Sequence, residues 1–161
     1  TYFGGVNLCG QISDPILNPH FIDFLKICKK ENKPVTINTA VSQKPEKWYR
    51  EAFKVNKDAK WTFGIDGLPY QSFCYRINQD GEKLFKMMVI AKELGLRKII
   101  WQYIVFKYNE NYIEQATELA NKHNILLELN YSGRWNLWDD PYEPKNPEYK
   151  IKRKKNINEI K

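Results

Sequence analysis

The sequence predicts an α/β protein whose parallel strands form an open, partial barrel with a polar interior. Three observations carry that expectation. Five apolar, β-branched segments recur at the spacing of a βα unit. Helical patterns lie between them, and no hairpin signal such as Asn-Gly joins neighbouring strands, so right-handed crossovers and a parallel sheet follow. The strands also alternate in polarity, whereas a sheet covered by helices on both faces reads as nearly continuous apolar runs.

The strand segments are Tyr2 to Leu8, Val35 to Val41, Trp61 to Ile65, Lys98 to Phe106 and Ile125 to Tyr131. The first helix opens at Asn18-Pro19, a cap residue followed by Pro at the first helical position, with Phe21, Phe24, Leu25 and Cys28 on one stripe. A shorter helix runs from about Pro45 to Phe53. The third follows Asp80 as N-cap, buries Leu84, Met87, Met88, Ala91 and Leu94, and ends at Gly95. The fourth spans about Asn111 to Lys122, with Ile113, Ala116, Leu119 and Ala120 on one face.

Strand parity says what the sheet faces. Val6 and Leu8, Val35 and Ile37, Trp61, Phe63 and Ile65, Leu127 and Leu129 form one set. Asn7 and Cys9, Thr36 and Asn38, Thr62, Gly64 and Asp66, Gln102, Glu128 and Asn130 form the other. Helices can cover the first set. The second must line something that satisfies hydrogen bonds, because an unpaired buried polar group costs about 1–3 kcal/mol. A polar lumen meets that need; an α/β sheet with one face partly solvated gives the same alternation.

The chain has 161 residues and a formal charge of +7, a size at which one domain is the expectation and no disulfide or metal is needed for stability. Of that charge, +5 falls in residues 150–161, leaving +2 for the rest. This is the mark of a charged tail more than of a nucleic-acid-binding face. Three cysteines do not make a secreted disulfide framework, which favours a reducing, cytoplasmic setting. No apolar run is long enough for a membrane span and no signal peptide is legible. The chain opens Thr1-Tyr2-Phe3-Gly4-Gly5, directly in a strand, as a fragment would.

Ligands of parallel α/β proteins bind at the carboxyl ends of the strands. Here those ends are polar and glycine-bearing: Cys9-Gly10-Gln11-Ile12-Ser13-Asp14-Pro15, Thr39-Ala40-Val41-Ser42, Asp66-Gly67-Leu68, Lys107-Tyr108-Asn109-Glu110 and Ser132-Gly133-Arg134-Trp135. Each taken singly is ordinary turn chemistry; five in succession point to a site. The dinucleotide, P-loop and nucleophile-elbow motifs are missing. Cys9, Cys28, Cys74, His20 and His123 lack metal-ligand spacing, so no metal site is expected from this chain.

Five ordered motifs resemble radical SAM enzymes of the SPASM-associated branch. Phe3 to Gly10 followed by Ser13-Asp14-Pro15 resembles their second strand and its GGEP-type turn. Ile37 to Ser42 is similar to the "TNGS" segment, and Phe63-Gly64-Ile65-Asp66-Gly67 with Tyr75-Arg76 to the "SIDG" segment and the Tyr-Arg after it. Trp101 to Glu110 is similar to "WQ-x-x-x-FK-x-NE", and Ser132 to Trp135 to the segment after the sixth strand. The resemblance covers residues 3–135. It implies a partial (β/α)6 TIM-like barrel, represented here by about five parallel strands and four helices over residues 1–135, with 136–161 as a charged linker or tail.

The resemblance also implies a cofactor site for S-adenosylmethionine. Asp14 would hold the cofactor's amino group as a charge-assisted acceptor, with the backbone of Cys9 and Gly10 nearby. Thr39 and Ser42 would lie at the cofactor edge, Asp66 near the ribose or in the lumen, and Arg76 at the methionine carboxylate. Gln102 would point into the lumen and Arg134 would complete the site. Asn109 and Glu110 have equally good readings as helix-start residues. In the intact enzymes that the chain resembles, a 4Fe-4S cluster would supply one electron that cleaves the cofactor into methionine and a 5′-deoxyadenosyl radical, which abstracts hydrogen from a substrate; a peptide or protein is the substrate class expected.

The pattern is incomplete. The CxxxCxxC loop that holds the cluster is missing, Gly64 stands where many members have serine, and the turn at Asp14 is not GGEP. The expectation is a fragment that is inactive alone, or a degenerate homologue that keeps the barrel. Two other readings compete: a non-catalytic α/β module whose basic tail binds nucleic acid, and an enzyme of another partial-barrel family.

Overall fold

Five parallel strands form one sheet in the computed structural model of the chain, which describes residues 4–10, 13–133, 135 and 140–150. The strands are β1 (Val6–Cys9), β2 (Val35–Thr39), β3 (Lys60–Gly64), β4 (Ile99–Ile104) and β5 (Leu126–Asn130), and they lie side by side in chain order. Between them run α1 (Phe21–Lys30), α2 (Glu46–Val55), α3 (Gly81–Glu93) and α4 (Ile113–Lys122). A doubly wound sheet needs a reversal of strand order. Sequential order with crossovers of one hand puts every helix on the same face, which is the geometry of a partial TIM-like barrel. The fold class is therefore α/β with an open, barrel-like sheet.

Parallel registry turns the sequence parity into two surfaces. Val35 pairs with Val6, Ile37 with Leu8 and Trp61, and Phe63 with Trp101, so the apolar parity stacks across the sheet under the helices. Its core is aromatic: Phe53 meets Trp61 edge-on at 5.1 Å, Trp61 stacks on Phe63 at 5.8 Å, and Phe85 meets Trp101 at 5.3 Å. On the other face Cys9, Asn38 and Thr62 fall in one row and Gly64, Gln102 and Glu128 in another. Ile100 and Leu126 break the polar rule toward β5.

Helix ends follow local chemistry, with one shift. The Asn18 side chain accepts the His20 N–H at 2.9 Å, a turn that consumes Asn18 and Pro19 and delays α1 to Phe21. Asp80 caps α3 through the Lys83 N–H at 2.9 Å, and Gly95 takes φ +88 to leave it. A 3-10 turn, Glu110–Tyr112, replaces the first turn expected of α4.

Residues 140–150, expected as part of a charged linker, pack across the ends of β3 and β4. The Lys107 N–H donates to the Tyr142 carbonyl at 2.9 Å and the Asn146 N–H to Glu110 Oε2 at 3.0 Å. The basic run expected to carry nucleic-acid binding, and Arg134 of the expected cofactor site, lie outside the described residues apart from Lys150. Among the described residues no helix is long and apolar enough to cross a membrane.

Candidate functional site

A polar cleft of about 270 Å³ opens at the carboxyl ends of β1 to β4, lined by the Cys9-Gly10 and Ser13-Asp14 turn, Asn38 to Ala40, Gly64, Arg76 and Gln102. Four loops therefore bring together six of the nine residues expected around a cofactor, all but Ser42, Asp66 and the undescribed Arg134, with Asn38 and Ser13 added. Gly10 permits the tight turn: a Cβ there would stand 1.8 Å from the Ser13 carbonyl oxygen. Gly64 keeps the cleft wall flat, because a Cβ would stand 2.9 Å from Arg76 Nη2.

Asp14 is engaged by the protein itself. The Thr39 hydroxyl donates to both its carboxylate oxygens, at 2.9 and 3.0 Å, the Ala40 N–H donates to Oδ2 at 2.8 Å and the Ile16 N–H to Oδ1 at 3.2 Å. A carboxylate has about four acceptor sites, and these contacts largely fill them. Asp14 clamps the β1 turn to the end of β2, which makes it a positioning residue. Asp14 also lines the cleft, and Thr39, as its donor, is likewise part of the clamp.

Asp66 and Arg76 form a second fixed pair. Asp66 is fully buried; its Oδ2 lies 2.8 Å from Arg76 Nε and its Oδ1 accepts the Ile104 N–H at 2.9 Å. Burial pushes the Asp66 carboxyl above its ordinary value, against the pull of Arg76. Asp66 thus stands behind Arg76 instead of facing a ribose or the lumen. Arg76 is one-quarter exposed and reaches the cleft.

Ser42 also lies outside the cleft lining. It is buried, and its hydroxyl accepts the Asp80 N–H at 2.9 Å, tying the β2 loop to the start of α3. Asn109 and Glu110 prove to be staples. Asn109 is fully buried, its Oδ1 accepting the Phe106 N–H at 2.7 Å and its Nδ2 donating to the Ile104 carbonyl at 3.0 Å. Trp101 Nε1 donates to the Ile65 carbonyl at 2.8 Å. Of the Trp101 to Glu110 segment, Gln102 alone lines the cleft.

One positioning residue escaped the sequence reading. Gln79 is buried and its Nε2 donates to the Ala40 carbonyl at 2.6 Å and the Gly64 carbonyl at 2.8 Å, while its Oε1 accepts the Ser72 hydroxyl. It holds the ends of β2 and β3 together beneath the cleft. A glutamine in a polar loop carries no local signal of that role. Asn38 did carry one, its place on the polar strand parity.

The cysteines are dispersed: Cys9 is exposed at the cleft, Cys28 is buried on α1 and Cys74 is exposed in the loop after β3. Burial raises the Cys28 thiol. Among the described residues no group of three His, Cys, Asp or Glu side chains converges, so this donor set does not fit a 4Fe-4S cluster.

No family model matches the chain and no curated protein matches it. Its fold is similar to that of SuiB from Streptococcus suis, with a TM-score of 0.64 and 16% sequence identity. That match covers 81% of this chain and 29% of SuiB, so the chain spans under a third of the neighbour's length. At this identity the likeness establishes the fold.

Proposed function

We propose that the cleft binds S-adenosylmethionine and that the chain is a cofactor-binding portion of a radical SAM-type partial barrel. The observation that carries the reading is convergence: motifs resembling that superfamily at successive strand ends meet at one polar cleft. The fold shared with SuiB is compatible with it. Arg76 offers guanidinium N–H groups beyond the Nε engaged by Asp66, suited to a carboxylate. The amides of Asn38 and Gln102 offer both donors and acceptors to amino, hydroxyl and ring-nitrogen groups. Backbone groups of Cys9 and Gly10 complete the polar wall, while Asp14, Ser42, Asp66 and Gln79 hold its geometry.

S-adenosylmethionine, when bound beside a reduced cluster, supplies a carbon radical for hydrogen abstraction. The described residues do not provide thiolates for such a cluster, so the role assigned to them is to bind and orient the cofactor. Hydrogen abstraction from a peptide or protein substrate belongs to an assembly in which the cluster is held elsewhere.

Isothermal titration of the full chain with S-adenosylmethionine, and with S-adenosylhomocysteine as a second ligand, tests the reading. Saturable one-to-one binding is expected, weakened about tenfold by Gln102→Leu, which is about 1.4 kcal/mol. Absence of binding at millimolar ligand, or equal affinity in Gln102→Leu and Asn38→Leu, would defeat it.

A further inference from the structure

The turns that carry helix to strand, at the opposite end of the sheet from the cleft, concentrate positive charge. Residues 29–33, 54–60, 92–98 and 122–123 hold ten Lys or Arg and three Asp or Glu. Because residues 1–149 carry only +2 in all, the rest of that stretch is net acidic. The fold gathers what the sequence disperses.

Two hollows are set into this face. One, about 380 Å³, is lined by Lys29, Lys54, Lys57, Asp58 and Arg97, with Val55 and Gly95. The other, about 190 Å³, includes Lys29, Asn32, Asn56, Asp58 and Lys98. They share Lys29 and Asp58, whose Nζ and Oδ2 lie 2.5 Å apart, so the single acid between the hollows is already neutralised. Lys57 overhangs Gly95, its Nζ standing 3.9 Å from where a Cβ would be. Lys54, Lys57 and Arg97 are exposed, and no ion pair with an acid holds them among the described residues.

We propose that this face docks an acidic segment of a protein or peptide, with carboxylate side chains seated in the two hollows. Three features favour a polypeptide over nucleic acid. No aromatic side chain lines either hollow, so a single strand finds no stacking platform. The hollows are separate and of side-chain size, unlike a continuous groove that tracks a phosphate backbone. Asp58, 72% exposed between them, keeps acceptor capacity beyond its pair with Lys29, which the N–H groups of a peptide backbone can use and a phosphodiester backbone, with no donor, cannot. The interaction is electrostatic, so it is screened by salt over a Debye length of about 10 Å at 0.1 M.

Fluorescence anisotropy of a labelled deca-glutamate peptide, with a thymidylate decamer of similar charge as competitor, tests the proposal on the full chain. The peptide is expected to bind more tightly than the oligonucleotide and to be released by salt. Combined Lys54→Glu, Lys57→Glu and Arg97→Glu replacement should weaken peptide binding at least about tenfold, with folding checked by circular dichroism. Replacing Lys152, Arg153, Lys154 and Lys155 by Gln should leave it within about twofold. Tighter oligonucleotide binding, loss of binding only in the tail variant, or unchanged affinity after charge reversal would each overturn the proposal.

Discussion

The Asp66–Arg76 pair sets how the cleft responds to pH. Burial raises the Asp66 pKa, so the folded protein keeps this proton to higher pH than the unfolded chain does. The stability that follows is fully present below the ordinary carboxylate value of 3.8 and is lost as pH rises through the folded value. Arg76 limits the loss by favouring the carboxylate. Arg76→Met removes that compensation and leaves a buried charge unpaired, a defect of about 3–5 kcal/mol in buried pairs. Urea unfolding of Arg76→Met should show a loss of about 3 kcal/mol at neutral pH and a much smaller one near pH 4. Equal losses at the two pH values would contradict the electrostatic assignment.

At the scale of elements, the loop after β3 and the start of α3 are packed backbone to backbone. A Cβ on Gly81 would stand 2.2 Å from the Pro69 carbonyl oxygen and 2.9 Å from Ser72 Cβ. Helix propensity alone favours alanine over glycine by about 1 kcal/mol. The steric conflict is with main chain, which cannot swing aside, and overpacking of this kind costs about 1–3 kcal/mol. Gly81→Ala is therefore expected to lower the melting temperature by several degrees, at about 2–4 °C per kcal/mol for a chain of this size. A rise in melting temperature by calorimetry would show that the loop can yield. The same loop carries Arg76 and Gln79, so its fixed seat on α3 is what places both at the cleft.

At the scale of the molecule, β2, β3 and β4 each have two neighbours, whereas β1 and β5 have one. The largest buried side chains, Trp61, Trp101, Tyr103 and Phe63 among them, also lie on β3 and β4. Hydrogen exchange followed by NMR should find the slowest amides at Trp61–Phe63 and Ile99–Trp101, and faster exchange in β1 and β5. Uniform protection across the five strands would mean that the edges are covered. The charge distribution follows from the same topology. Every strand points the same way, so the carboxyl ends of β1 to β4 build the cleft and the turns before β2 to β5 build the basic face.

Much of this was legible in the residues themselves. Alternation along each strand placed Asn38, Gln102 and Cys9 on one face, because a strand's period of two is a local property. Asp80 and Gly95 marked the ends of α3, since capping is decided within one turn. The roles of individual polar residues at the strand ends were not legible. Asp14, Ser42, Asp66 and Asn109 have the same chemistry whether they grip a ligand or a distant backbone N–H, and that choice depends on contacts 3 to 38 residues away along the chain. The sequence by itself determined the order of strands and helices and the polarity of the two faces. Only the tertiary structure decided which polar groups were used up in holding the cleft and which remained to line it, because hydrogen bonds are shared out by proximity in space.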